Sequence, residues 1–328
     1  MPQRLRIAVY CDLDLLGDGL MKLPFVRALR SAWPDGDLTW VAGRGPSVYA
    51  GVLRPLVHGL VDRTLENTGV GAGLGEALRR QAGGLDILID TQSLVATAWA
   101  LRQLGARQFF SRAGRYLLSS RRPPGFWRKR RRLISRLLYL AEVAAGRPVT
   151  PTGELWQDPQ ARALAERLLP DGGRYVALVA GAGGRHKAWP LPCHIELARA
   201  LAARGVQPAI ILGPAEREWH PDLAAALPEA RFPLQEAEAA GATADPMLTL
   251  AVARRCLAGV AGDCGGGHLL AAADLPLVSL FGPTEPDKFA PWTPELTVLR
   301  AQSFGGTEMT AIPVAAVLVA VEAATGRR

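Results

Sequence analysis

Short apolar runs alternate with helix-patterned stretches along the whole chain, which restricts it to α/β architecture with parallel sheets. In the first half, Arg6–Tyr10, Leu38–Val41 and Leu85–Asp90 read as buried strands. A helix is expected over Leu23–Trp33, ended by Pro34-Asp35-Gly36. The second half repeats the pattern, with strands at Tyr175–Ala180, Pro208–Leu212, Gly259–Gly262 and Leu277–Phe281. Its helices fall at Pro192–Arg204, Pro246–Arg255 and His268–Ala273. Two Rossmann-like halves in tandem follow, joined within Gly146–Asp158, where Pro148, Pro151 and Gly153 cluster. At 328 residues the chain also exceeds what one core usually serves. The last helix, Pro313–Thr325, is too short to stand alone and must pack back on another element.

Four turns lie where such sheets place ligands, outside the carboxyl ends of strands. Leu16-Gly17-Asp18-Gly19 follows the first strand; its glycines admit close approach of a ligand, and Asp18 either projects into a crevice or caps the next helix. Ala180–Pro190 is a glycine-rich turn (Gly181, Gly183, Gly184) carrying Lys187, suited to phosphate through backbone amides and a mobile cation. It has neither the G-x-G-x-x-G spacing nor a closing Gly-Lys-Ser/Thr, which weakens dinucleotide and P-loop readings. Gly213–Glu218 offers Glu216 or Glu218 to a ribose, or is only a solvated charged turn. Gly262-Asp263-Cys264-Gly265-Gly266-Gly267-His268 again presents bare amides at a helix start. Its Asp, Cys and His mix hard and soft ligands at poor spacing, so no metal is expected. Two phosphate-type turns in one half point to a nucleotide diphosphate with a group attached.

The formal charge of +8 favours anionic partners. Much of it gathers in Arg121–Arg136, where Arg128, Lys129, Arg130, Arg131 and Arg132 run together. That cluster suits a phosphorylated saccharide or an anionic lipid surface, against the alternative of a solvated helix face. No nucleic-acid motif accompanies it. The four cysteines are scattered, as reduced cytosolic thiols would be. The apolar run Ile7–Tyr10 is too short for a signal-peptide core, and no run of eighteen uncharged apolar residues predicts a spanning helix.

The order of these motifs resembles glycosyltransferase family 9, the bacterial lipopolysaccharide heptosyltransferase family. Gly17-Asp18 with Pro24, Lys187-Ala188-Trp189-Pro190, Gly213–Glu216, Asp263–His268 and Leu280–Thr284 carry the resemblance along nearly the whole chain. It implies a GT-B type fold: two facing Rossmann-like domains, residues 1–152 for the acceptor and 153–310 for the nucleotide-sugar, with a closing helix in 311–328 returning to the N-terminal domain. It implies inverting transfer with no metal or other cofactor, the co-substrate being ADP-heptose in the leading case. Asp18 would be the general base, Lys187 would neutralise the leaving diphosphate, Glu216 would hold the ribose and Asp263 would orient the sugar. Gly265, Gly266 and His268 would line the phosphates, while Gly17 and the 128–132 cluster would serve an anionic glycolipid or saccharide acceptor. The expected location is cytoplasmic, at most peripheral on the inner face of the membrane. Two departures stand out: Cys264 replaces a usual small hydroxyl residue, and Gln235–Asp245 is an extended stretch where the nucleobase would sit. The rivals are a nucleotide-sugar epimerase on the same architecture, needing no second substrate, and a non-catalytic carbohydrate- or lipid-binding relative.

Overall fold

A computed structural model describes residues 4–80, 84–126, 130 and 132–326, and the chain divides into an N-terminal unit ending at Trp156 and a C-terminal unit beginning at Gln157. The N-terminal unit holds β1 (Arg6–Cys11), β2 (Asp37–Ala42), β3 (Arg63–Leu65), β4 (Ile87–Asp90) and β5 (Gln108–Ser111), all parallel in the order β3-β2-β1-β4-β5. Its helices are α1 (Leu16–Ala32), α2 (Ala72–Arg80), α3 (Val95–Arg102) and α4 (Leu133–Ala145), with α1 packed on α4. β1 is buried along Ile7–Cys11, as a central strand covered on both faces must be.

The C-terminal unit holds β6 (Tyr175–Val179), β7 (Gln207–Ile211), β8 (Ala258–Ala261), β9 (Leu277–Phe281) and β10 (Leu296–Arg300), parallel in the order β10-β9-β8-β6-β7. Around them lie α5 (Pro159–Leu168), α6 (Leu191–Ala202), α7 (His220–Ala226), α8 (Pro233–Ala239), α9 (Pro246–Ala253), α10 (Gly265–Ala272), α11 (Pro286–Phe289) and α12 (Val314–Thr325). Among the described residues no helix is long and apolar enough to cross a membrane.

The structure corrects four expectations. The first helix starts at Leu16 rather than Leu23, and Pro24 sits inside it. Within that helix Gly19 is bare where a side chain would collide with Val48 and Leu53, and Tyr49 Oη donates to its carbonyl at 2.7 Å. The units divide four residues later than 152, since the linker stays on α1: Arg27 Nε donates to Gly153 O at 2.8 Å and Trp156 lies against His58. The Gln235–Asp245 stretch is partly the short helix α8.

The closing helix, expected to return to the N-terminal unit, packs on α6, β8 and β9 of the C-terminal unit. Val317 and Val321 are fully buried beside Leu197, Leu201, Val260 and Val278, so the apolar stripe is already used there. Trp189 Nε1 donates to Ile312 O at 3.1 Å and fixes the approach to that helix.

Candidate active site

Each strand order creates its own crevice. In the C-terminal sheet the chain leaves β6 toward β7 on one side and β8 on the other, so the loops after β6 and β8 part at the carboxyl edge, where open α/β sheets take ligands. Both glycine-rich turns lie there, and they touch: a Cβ on Gly262 would stand 3.3 Å from the Lys187 carbonyl oxygen. Lys187 Nζ donates to Asp263 Oδ2 at 3.0 Å, with the Asp263 side chain only 10% exposed. The ammonium also lies 5.7 Å from the Phe289 ring centre, which brings α11 to the same place.

In the first turn, Gly184 N donates to Ala182 O and Lys187 N to Gly184 O, closing the loop on itself. The amides of Gly181, Ala182 and Gly183 have no partner among the described residues. Unpaired amides beside an ammonium form a cradle for anionic oxygens. A Cβ on Gly181 would overlap the Glu216 carboxylate, and one on Gly213 would come 2.9 Å from it, so Glu216 threads between the ends of β6 and β7. Burial raises its pKa, while the amides of Gly213 and of Glu216 itself pull it back. Glu218, the other ribose candidate, is exposed and lies 3.8 Å from the Arg185 guanidinium. Beyond this turn, Arg185 and His186 line an open cavity of about 460 Å³ with Trp219 and Met309.

The second turn starts α10. Cys264 is its N-cap residue; burial pushes the thiol up to about 11, against the pull of the Gly267 and Gly266 amides, so it stays protonated at neutral pH. Gly265 opens the helix, and Gly266 must be bare because a Cβ would come 2.8 Å from Val179 Cγ1. Burial lowers His268 to about 4, with Asp263 opposing, which leaves a neutral imidazole beside the carboxylate.

The N-terminal sheet splits between β1 and β4. Asp18 follows β1 as the third residue of α1, half-buried, and the N-cap position is Leu15. Its carboxylate therefore is not the cap, and it makes no hydrogen bond or ion pair among the described residues. Beside it Gly17 has open space where a Cβ would stand. Of the basic cluster, Arg128, Lys129 and Arg131 lie outside the described residues. Arg130 stacks on Tyr139 with Cζ 3.8 Å from the ring centre, and Arg132 is the N-cap residue of α4.

Sequence reasoning missed the supports under this turn. Asp14 is 1% exposed and accepts from Trp40 Nε1 and Ser47 Oγ, both at 2.8 Å. Lys22 Nζ, buried under α1, donates to Cys11 Sγ at 2.9 Å. Asp90, at the end of β4, accepts from Ser111 Oγ at 2.7 Å and Gln92 N at 2.8 Å, and burial pushes its carboxyl up to about 6. Asp14, Lys22 and the Ser111 bond of Asp90 join residues 11 to 33 positions apart, which no local motif reveals. Phe289 was missed because nothing after Leu280–Thr284 marks it in sequence.

Comparison with known proteins shows the family. Residues 72–310 match glycosyltransferase family 9 (heptosyltransferase). Lipopolysaccharide heptosyltransferase 1 of Pseudomonas aeruginosa is 31% identical over 289 residues, which is 83% of this chain and 77% of that protein. This chain belongs to glycosyltransferase family 9. The epimerase and binding-protein readings thereby fall: the family is one of glycosyltransferases. The fold is of the GT-B type, as in the family 9 glycosyltransferase of Veillonella parvula, with a TM-score of 0.71 at 19% identity, covering 99% of this chain and 98% of that one. The E. coli ADP-heptose lps heptosyltransferase II gives 0.67 at 20% identity, covering 98% and 99%. The family 9 match begins after Gly17 and Asp18, so it bears on the C-terminal motifs and not on that turn.

Proposed function

We propose that this glycosyltransferase moves heptose from ADP-heptose to an anionic saccharide of the lipopolysaccharide core, with inversion and without a metal ion. The observation that carries the reading is the Lys187–Asp263 pair set among three unpaired amides where the C-terminal sheet divides. That arrangement suits a diphosphate ester carrying a polyhydroxylated sugar. The choice of ADP-heptose rests on the relatives: one is named a lipopolysaccharide heptosyltransferase, and an E. coli heptosyltransferase has been solved with ADP and with ADP-2-deoxy-2-fluoro heptose.

In this mechanism the acceptor hydroxyl oxygen attacks the anomeric carbon while Asp18 takes its proton, and the bond to the diphosphate oxygen breaks with its electron pair leaving on ADP. Lys187 and the 181–183 amides stabilise the charge growing on that oxygen. Glu216 holds the ribose hydroxyls, and Asp263, paired with Lys187, orients the sugar. His268 lines the phosphate site as a neutral imidazole. Gly17 leaves room for the acceptor beside Asp18. The enzyme acts on the cytoplasmic side, where nucleotide-sugars are made.

Thermal shift against ADP-, GDP-, UDP- and dTDP-sugars tests the donor, because a ligand that binds only the native state raises its apparent stability. ADP-heptose should give the largest shift, and the product should have the opposite anomeric configuration to the donor. Turnover should persist in EDTA. A larger shift from another base reassigns the donor, retention of configuration removes Asp18 as base, and a strict metal requirement overturns the electrostatic role of Lys187.

A further inference from the structure

The loop after β5 contains three consecutive residues in the left-handed region, Gly114, Arg115 and Tyr116, with φ of 55°, 55° and 65°. For non-glycine residues that conformation is unfavourable and persists only where the surroundings impose it. Here they do. Ser119 Oγ donates to Ser111 O at 2.7 Å and accepts from Ser111 N at 2.9 Å, and Phe109 N donates to Ser120 Oγ at 2.9 Å. Tyr116 is buried against Tyr139. The next residue, Leu117, is turned outward and is 68% exposed, more than any other exposed large hydrophobic among the described residues.

Leu117 is not isolated. A Cβ on Gly114 would lie 3.5 Å from Leu117 and 4.0 Å from Val95, so the loop and the start of α3 form one surface. Val95 and Trp99, four residues apart on α3, are each 58% exposed, and Leu94 beside them is 61% exposed. Arg102, one turn further on, donates to Leu118 O at 2.7 Å and ties the helix to the loop. A contiguous apolar patch of this kind marks a contact surface, unlike single exposed leucines.

Its occupant follows from charge. Residues 91–141 contain twelve arginines and lysines and no aspartate or glutamate. Without them the chain would carry 26 basic against 30 acidic side chains and be net negative, so this stretch supplies the whole positive excess. Arg102 and Arg115 beside exposed Trp99 and Leu117 fit the boundary of an anionic bilayer, where aromatic rings settle at the headgroups and cations meet phosphate.

We propose that the outer face of α3 and the strained 112–118 loop form a docking surface for an anionic phospholipid bilayer, with Leu94, Val95, Trp99 and Leu117 entering the interface and Arg102 and Arg115 contacting headgroups. The surface belongs to the N-terminal unit alone and does not depend on which nucleotide-sugar is used.

The test is co-sedimentation of the full chain with vesicles of phosphatidylethanolamine and phosphatidylglycerol, against vesicles of phosphatidylcholine alone. Wild-type protein should pellet with the anionic vesicles only. The double variant Trp99→Ser/Leu117→Ser should partition about tenfold less, with unchanged Tm and unchanged turnover on a water-soluble acceptor. Three results overturn the proposal. The wild type fails to bind anionic vesicles; the double variant binds as the wild type does, leaving charge alone; or sedimentation shows a wild-type dimer that the double variant dissolves, which makes a second copy the occupant.

Discussion

Lys187, Asp263 and Glu216 in the C-terminal unit hold one another or the glycine turns in place, whereas Asp18 in the N-terminal unit has no polar partner among the described residues. The first arrangement is made of backbone: consecutive glycines leave amides unpaired, and one charged pair bridges two adjacent loops. The second is one carboxylate at a helix start, supported from below by Asp14 and Lys22. The contrast suggests a division of labour. A diphosphate can be met by a prebuilt cradle, while a base must stay free to accept a proton at the moment of attack.

Replacing the free carboxylate should have the largest effect. Asp18→Asn should reduce turnover by on the order of a hundredfold or more, as loss of a general base does, with donor affinity nearly unchanged. Near wild-type turnover in a purified, folded variant would erase the contrast and leave Asp18 a favourable charge at a helix N-terminus. Lys187→Ala should act on both measures: loss of a charge-assisted contact corresponds to about 10- to 100-fold in donor affinity, with turnover falling too. If donor affinity holds while only turnover drops, Lys187 acts in the transition state alone and the cradle is made of amides.

What the sequence disclosed divides along the same line. The glycine-rich turns are encoded by neighbours in the chain, so Gly181–Lys187 and Asp263–His268 could be found by reading along it. Central strands were equally legible, because β1, β4, β6, β8 and β9 are buried runs. The missed strands β3, β5 and β10 are all edge strands; β3 and β10 are half-exposed throughout, and the four-residue β5 opens on exposed Gln108, so none shows a continuous apolar run. α12 was misplaced for a related reason: Val317 and Val321 show that it has an apolar stripe, but not which unit offers the matching face. The first helix, expected from Leu23, starts at Leu16, so Pro24 lies inside it.

Protonation provides a subtler comparison, because the two units should respond to acid in opposite directions. His194 in α6 is fully buried with Nδ1 unpartnered, and burial lowers it to about 4. Its folded value lies below the unfolded one near 6.5, so stability is full above that pH and is lost by about 3 kcal/mol as pH falls toward 4. Asp90 is the reverse. Its folded value of about 6 exceeds the unfolded value near 4, so burial of the charge penalises the fold above pH 6 and the penalty, also about 3 kcal/mol, fades toward pH 4. Hydrogen exchange resolved by peptide at pH 7 and pH 5 should show the C-terminal core loosening before the N-terminal core. Asp90→Asn should raise the stability of the N-terminal unit at pH 7 and leave it unchanged near pH 4; parallel behaviour of both units would remove burial as the cause.

The smallest expected effect concerns Arg132, where stability and binding should pull apart. It is the N-cap residue of α4, it makes no capping bond, and a cation there opposes the helix dipole. Arg132→Ser supplies a capping hydroxyl and removes that charge, so it should stabilise the helix by about 1 kcal/mol. If the arginine cluster guides an anionic acceptor, the same variant should raise the acceptor KM about two- to threefold at low salt, since an exposed charge near an anionic ligand contributes at most about 1 kcal/mol. The KM difference should vanish at high salt, where screening acts over about 3 Å at 1 M, while the gain in Tm persists because a neutral capping bond is barely screened. Donor affinity, set by backbone in the other unit, should not move. A rise in Tm with no change in acceptor KM at any salt concentration would show that Arg132 sits at the helix start without serving the acceptor, and would confine recognition to other parts of the N-terminal unit.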